Sequence, residues 1–189
     1  MSLKNIVDKV KKLGTKELTP KESIEMLKNM IKKNKVPIQK ELKPGALITF
    51  IYDAKDKDNI YDRTPFVMVL STTSKYMLGV NFHWMPVSKR QILVNYILHK
   101  NRKRIRLKKP LKITYRELRA TVKSIGAFPV IRLYIRGRMS KTGVRIPDEL
   151  LSQAAKMKTE TFTGGKVNST TLWTRAKQKA LTAKRKLGF

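Results

Sequence analysis

Three runs of β-branched and aromatic residues, separated by turn-forming stretches, restrict the folds open to this chain. They are "ALITFIY" (46–52), "FVMVL" (66–70) and "MLGVNFHWM" (77–85). Such runs are typical of β-strands, and their close spacing favours an antiparallel meander. In the third run, strict alternation predicts Phe82 and Trp84 on one face and Asn81 and His83 on the other. We therefore expect His83 to be a hydrogen-bonded structural residue beside an aromatic core.

Helical patterns lie on both sides of these strands. Thr19 and Glu22 have capping-box spacing, and so do Thr114 and Glu117. The stretch "SKRQILVNYILHK" predicts a helix with Ser88 as its N-cap. The predicted fold class is therefore α+β, with a small SH3-like β-barrel or a curled antiparallel sheet flanked by N-terminal and C-terminal helices.

The same patterns divide the chain into three parts. We predict an N-terminal helical extension over residues 1–43, a β-rich core with inserted helices over 44–146, and a basic helical segment over 147–189. Lysines interrupt the apolar residues at the N-terminus, and no run of about 18 apolar residues follows. We expect neither a signal peptide nor a membrane-spanning helix, and no membrane partner.

The charge indicates a polyanionic partner. The chain of 189 residues has 43 Lys plus Arg against 13 Asp plus Glu, a formal net charge of +30. Residues 100–189 contain 25 basic and 4 acidic side chains, so this half contributes +21. A protein with this excess repels itself unless a polyanion is close by, and nucleic acid is the first candidate.

Three basic features of the second half are candidate contacts to phosphate. "NRKRIRLKKP" (101–110) has six basic residues, "FPVIRLYIRGRMS" predicts a strand with arginines on one face, and the last helix is basic and amphipathic. The candidate nucleic-acid-binding residues are Arg102, Lys103, Arg104, Arg106, Lys108, Lys109, Arg132, Arg136, Arg138, Arg175, Lys179, Lys184, Arg185 and Lys186.

The residue types give little support to an enzyme. The chain has no cysteine, which excludes disulfides and thiol catalysis, and it has only two histidines, His83 and His99, the residue type best suited to proton transfer near neutral pH. The segment "YDAKDKDNIYD" resembles part of a magnesium nuclease site, with Asp53 after a strand, but such sites place another carboxylate upstream, so we favour a solvated hairpin loop. We predict no enzyme, no catalytic residue, no metal, no cofactor and no small-molecule substrate. The alternatives are a nuclease, either a metal-dependent enzyme or an SH3-like-barrel ribonuclease, and a protein that binds structured RNA.

Four longer motifs stand out along the chain: "FIYDAKDKDNIYDRTPFVMVL", "LGVNFHWMPVSKRQIL", "LKITYREL" and "FPVIRLYIRGRMS". In this order they resemble a family of tailed-phage proteins that protect DNA ends, found in T4-like phages and their relatives. The resemblance covers residues 44–180, and "GVNFHWMP" and "YDRTPF" are its most specific parts. The chain is more basic than the family pattern and has Met85 before Pro86.

This resemblance implies a structural protein of the virion with a role in head completion. It would bind the end of the packaged linear double-stranded genome near the portal or neck and shield it from host exonucleases. The implied partners are phage DNA and portal, neck or other head proteins. The implied location is the virion, with the host cytoplasm during assembly. Separately, "KPGALITF" and "RTPFVMVLS" are similar to the opening strands of SH3-like barrels, including toxin ribonucleases of plasmid addiction modules.

Overall fold

A computed structural model describes Thr19, Lys21, Glu22, Glu25 and residues 35–54, 62–157 and 169–186. Within these residues the chain forms a six-stranded antiparallel sheet. Its strands are β1 (Lys35–Pro37), β2 (Leu47–Tyr52), β3 (Phe66–Thr72), β4 (Tyr76–Asn81), β5 (Ile131–Ile135) and β6 (Met139–Arg145). Five α-helices accompany the sheet in this part of the chain: α1 (Val87–Lys100), α2 (Arg102–Arg106), α3 (Tyr115–Ser124), α4 (Leu151–Ala154) and α5 (Ser169–Lys186).

The sheet is curled and does not close into a barrel. Its strand order is β1-β6-β2-β3-β4-β5, so β1 and β5 are edges. Register irregularities between Phe50 and Tyr52 and between Val69 and Ser71 interrupt the pairing, and such irregularities increase local twist. A hydrogen bond also joins β5 to β2, which are not neighbours in the sheet: the backbone N–H of Ile135 donates to the hydroxyl of Tyr52 at 3.2 Å. The predicted α+β class is confirmed in its curled-sheet form.

Strand β3 is buried on both faces, which explains its unbroken apolar run from Phe66 to Leu70. Phe66 and Met68 belong to the main core, which lies between the sheet and the helices. Val67 and Val69 point to a second, smaller core on the other face. The predicted meander over β2, β3 and β4 is confirmed, because β3 pairs with both of its neighbours.

The third strand ends earlier than its alternation predicts. Strand β4 stops at Asn81, and Phe82–Trp84 form a 3-10 turn. The Asn81 side chain accepts the backbone N–H of His83 at 2.9 Å, a local bond that competes with the strand ladder. Because the turn replaces the pleat, the predicted placement of Phe82 and Trp84 opposite His83 is wrong. All of these side chains are buried instead.

The helix starts follow the capping rules in two of three places. The Thr114–Glu117 capping box is present at α3, and Thr19 and Glu22 make the reciprocal bonds of the other box. Helix α1 begins after Pro86 without a side-chain cap, so the predicted N-cap at Ser88 is wrong. The helices in the described part of the chain include none long and apolar enough to cross a membrane.

Candidate nucleic-acid interface

The basic loop, residues 102–110, lies in the chain between helices α1 and α3. Its first half is helix α2, and the remainder leads to α3. The cationic side chains Arg102, Lys103, Arg106, Lys108 and Lys109 are exposed. Arg104 is half-buried because its Nε donates to the carbonyl of Pro110 at 2.7 Å, inside the loop. The loop therefore presents five exposed cations, and the sixth, Arg104, makes a hydrogen bond within the loop.

The buried residue Asn101 closes the base of this loop. Its Nδ2 donates to the carbonyl of Ile97 at 2.9 Å, and its Oδ1 accepts the backbone N–H of Lys112 at 2.8 Å. Its backbone carbonyl accepts the N–H of Ile105, which starts helix α2. The side chain of Asn101 thus joins the end of α1 to the residue range that follows the loop, and its backbone carbonyl accepts a bond from within the loop.

Carboxylates form a second clip beneath the loop. Asp148 accepts the backbone N–H of Leu111 at 3.1 Å and a bond from Arg145 Nη2 at 2.8 Å. The Nε of Arg145 also lies 3.3 Å from Glu41 Oε2. In a chain with few acidic residues, these two carboxylates have structural partners close to the loop.

The predicted arginine face is wrong as a strand face. Strand β5 ends at Ile135, and Arg136–Arg138 form a 3-10 turn, so only Arg132 lies on the strand. Leu133, next to Arg132 on this strand, is 58% exposed. The edge strand stops where its chain turns toward β6, and period-two alternation does not apply beyond that point.

The three arginines also have separate surroundings. The guanidinium of Arg132 lies 4.0 Å from the ring centre of Trp84, and burial lowers its pKa. Arg136 donates to the carbonyl of Thr73 at 2.6 Å and to Gln39 at 2.8 Å. Arg138 lies beside Asp53, with 4.0 Å between Nη1 and Oδ2. Each guanidinium therefore contributes to local structure, and their contact with nucleic acid stays a prediction.

The basic C-terminal helix has the predicted amphipathic form over its described residues. Trp173 and Ala176 are buried, while Arg175, Lys177 and Lys179 are exposed. The remaining predicted contacts, Lys184, Arg185 and Lys186, lie on α5, but their side chains are outside the described residues. The part of the stripe that can be followed faces the core, which leaves the lysines and arginine on the solvent side.

Sequence reasoning missed a basic face on helix α3. Arg116, Arg119 and Lys123 are exposed, while Leu118 and Val122 are buried. Their spacing of three and four residues places the three cations on one side of the helix. The spacing of these cations is visible in the sequence and could have indicated a basic face.

A comparison with known families identifies the chain. A family model described as Phage T4 terminal DNA protecting protein matches residues 2–178. The match covers most of the chain, including the N-terminal residues that the motif resemblance left out. The chain belongs to this family. No curated protein and no solved structure matches it.

Membership in the DNA protecting family confirms the resemblance to phage DNA end protectors. The family description names protection of phage DNA, which points to a structural role.

The alternative magnesium site would use a group of aspartates between β2 and β3. Two of them, Asp56 and Asp58, lie outside the described residues. Asp53 is exposed beside Arg138, and Asp62 is bound by His83. Over the described part of the chain, no three metal-ligating side chains come together.

Proposed function

We propose that this member of the DNA protecting family binds the end of linear double-stranded phage DNA and blocks host exonucleases without catalysing a reaction. The exposed cations of the basic loop support the proposal most strongly. A loop held at both ends presents its charges without a large ordering cost on binding. Such cations contact phosphates, so they position the protein on DNA but do not distinguish one base sequence from another.

The basic loop does not act alone in this proposal. The exposed cations of α3 and α5 add further positive charge, and Lys100, the last residue of α1, joins that helix to α3 through its ion pair with Glu117. This bond, together with the backbone bond from Thr114, lowers the pKa of Glu117 to about 2. The Glu117 carboxylate is therefore ionised near neutral pH, and the charge of Lys100 offsets its repulsion of DNA phosphates.

An exonuclease challenge tests the protection. Linear duplex DNA labelled in its interior is incubated with the protein and then with a processive exonuclease, and intact DNA is quantified. We expect protection of linear DNA, and loss of most of it when Arg102, Lys103 and Arg106 are changed to Gln. The control changes three exposed lysines to Gln: Lys35 on β1, Lys141 on β6 and Lys75 in the turn between β3 and β4. Equal exonuclease digestion with and without the wild-type protein would contradict the proposal.

The same preparation separates binding from the alternatives. We expect no cleavage of DNA or RNA in the presence of magnesium, and weaker binding of structured RNA than of linear duplex DNA. Magnesium-dependent cleavage that disappears in Asp53→Ala would establish the nuclease alternative. Tighter binding of RNA would establish the other one, because lysine and arginine contacts read phosphate on either sugar.

The place in the phage particle belongs to the same proposal. A protein that covers a genome end is expected in the virion, at the portal or neck, after a period in the host cytoplasm during assembly. Portal, neck or other head proteins are the proposed partners. Labelling of the protein in intact particles followed by electron microscopy would locate it, and a uniform distribution over the capsid shell would contradict a position at the neck.

A further inference from the structure

The guanidinium of Arg132 is held in one orientation by two parts of the backbone. Its Cζ lies 4.0 Å from the ring centre of Trp84, in the turn after β4. Its Nη1 donates to the carbonyl of Pro129 at 3.1 Å and to that of Ile131 at 3.2 Å, at the turn before β5. The stacking and the two hydrogen bonds therefore fix the plane of this guanidinium before any ligand arrives.

The edge of the guanidinium formed by Nε and Nη2 is unused. Neither atom makes a hydrogen bond within the described part of the chain, and neither is a buried atom, so both reach solvent. Their two N–H groups point the same way and match the spacing of two oxygens on one phosphate or carboxylate. Among the described residues no carboxylate forms an ion pair with Arg132. Arg132 thus keeps a complete bidentate fork.

The two arginines that follow in the chain lack this combination. Arg136 already uses its Nε in a bond to Gln39, which interrupts the fork. Arg138 lies beside a carboxylate, that of Asp53. The charge of Arg132 is half-buried, and the loss of hydration on burial lowers its pKa. An anion bound to the fork would compensate for that lost hydration.

The basic helix α5 lies next to this fork. It packs on both turns that hold Arg132, Phe82–Trp84 and Phe128–Val130. The helix contains no acidic residue, and its exposed cations include Arg175, Lys177 and Lys179. A polyanion with phosphates in succession can contact both the fork and this helix, whereas a single carboxylate satisfies the fork alone. The surroundings therefore favour a phosphate of DNA as the ligand.

We propose that Arg132 binds one phosphate of the DNA through its Nε–Nη2 fork, as a fixed point of the interface beside α5. This proposal rests on the proposed function and assigns one phosphate contact within it. A guanidinium that is held in place before binding loses little rotamer freedom when the phosphate arrives. Its contribution should depend on shape as well as charge, because the ammonium of a lysine cannot form two parallel bonds in the same plane.

Single methylphosphonate substitutions in a short linear duplex test this contact, since each removes the charge and one anionic oxygen of one phosphate. We expect one position at which the wild type loses about tenfold in affinity and Arg132→Gln loses almost nothing further. With unmodified duplex, Arg132→Gln should lower the slope of log affinity against log salt by about 1. Arg132→Lys should keep the slope but still bind about tenfold less tightly, because it retains the charge without the fork.

Arg136→Lys is the matched control, since the Nε of Arg136 is already bonded to Gln39. It should keep the affinity of the wild type and the loss at the same phosphate. Urea denaturation checks that each variant is folded. A readout on the wild type itself is the NMR signal of the Arg132 Nε–H. This signal should shift when the unmodified duplex is added and stay in place with the duplex modified at that position.

Two results would overturn this inference and leave DNA binding itself intact. One is an equal loss of affinity by the wild type and Arg132→Gln at every methylphosphonate position. The other is an Arg132 signal that does not move while the duplex binds. Either result would point to a protein carboxylate as the ligand of the fork. Failure of the unmodified duplex to bind the wild type would instead refute the proposed function.

Discussion

Asp62 and His83 form a buried pair that belongs to the framework of the protein. Oδ2 of Asp62 lies 2.9 Å from Nδ1 of His83 and accepts a bond from Asn81 Nδ2 at 2.9 Å. Burial by itself raises the pKa of Asp62, but attraction to His83 and the hydrogen bonds outweigh it, and the pKa is lowered overall. His83 is fully buried, beside the ring of Phe66. The pair therefore fastens the entry to β3 onto the turn after β4.

Removing this carboxylate should lower stability and leave DNA binding alone. Asp62→Ala deprives two buried donors of their acceptor, at a cost of about 3 kcal/mol in the free energy of unfolding. Urea denaturation measures that cost, and a salt-matched DNA titration of the folded variant measures affinity. His83→Gln should behave in the same way. A tenfold loss of DNA affinity in a variant that is still folded would show that the pair has a functional role.

The same pair gives stability a dependence on acid. Since the folded protein holds the pKa of Asp62 below its ordinary 3.8, the unfolded chain binds more protons between the two values. The contribution of Asp62 is complete above the unfolded value and is lost as the pH falls through the folded value. In Asp62→Asn, which keeps the shape of the side chain, urea midpoints measured below pH 4 should fall less steeply with acid.

Helix α5 is attached to the rest of the molecule through Trp173. The helix packs on the turns Phe82–Trp84 and Phe128–Val130. The ammonium of Lys89 lies 5.2 Å from the ring centre of Trp173 and donates to the carbonyl of Ile125. Burial and the nearby Lys177 lower the pKa of Lys89. A tryptophan with a cation over its ring thus joins the C-terminal helix to the end of α3.

Shortening this tryptophan should loosen the helix. Trp173→Ala removes a large buried side chain and should cost about 3 to 5 kcal/mol of stability. Hydrogen exchange should then show loss of amide protection concentrated in α5. Arg175→Ala, on the exposed side of the same helix, serves as the comparison and should change stability by less than about 0.5 kcal/mol. Uniform loss of protection over the whole molecule would show that α5 does not open separately.

Among single elements, the sequence predicts where a helix begins but not where a strand ends. The spacing of Thr114 and Glu117 predicts a helix start correctly because the capping box involves only neighbours in the chain. The end of β4 is different. Asn81 is compatible with a strand, and what ends the strand is its own bond to His83 together with Asp62, nineteen residues earlier. A pattern of alternating residues contains no information about a hydrogen-bond partner so distant in the chain.

The distribution of charge is the property of the whole molecule that matters most for binding. The net charge of +30 is concentrated in the second half, and the exposed cations of the loop, α3 and α5 all come from it. Several of the few carboxylates lie behind the loop: Glu41, Asp148 and Glu149. Lys43, Lys108, Lys109 and Arg145 line the same groove behind the loop, so these carboxylates lie among cations.

The salt dependence of binding should report this surface. If about 8 cations neutralise phosphates, log affinity should fall with log salt at a slope near −7, or on the order of 10⁴-fold between about 50 and 200 mM salt. Changing Arg102, Lys103 and Arg106 to Gln should reduce the slope by about 3 for any DNA sequence. The control variant of Lys35, Lys75 and Lys141 should change it less. An unchanged slope would place the loop away from DNA.

The linear sequence determined the class of fold, the polyanionic partner and the family, because each depends on residue types and their spacing along the chain. Strand-forming runs, caps and charge excess need no distant contact to be recognised. The tertiary structure decided which charges are available. Arg132, Arg136 and Arg138 have similar positions in the sequence, yet folding stacks one on Trp84 and ties the others to a carbonyl or a carboxylate. Leu107 is a residue type that usually lies in a core, yet it is exposed, because the hydrogen bonds of Asn101 and Asp148 fix the conformation of its loop.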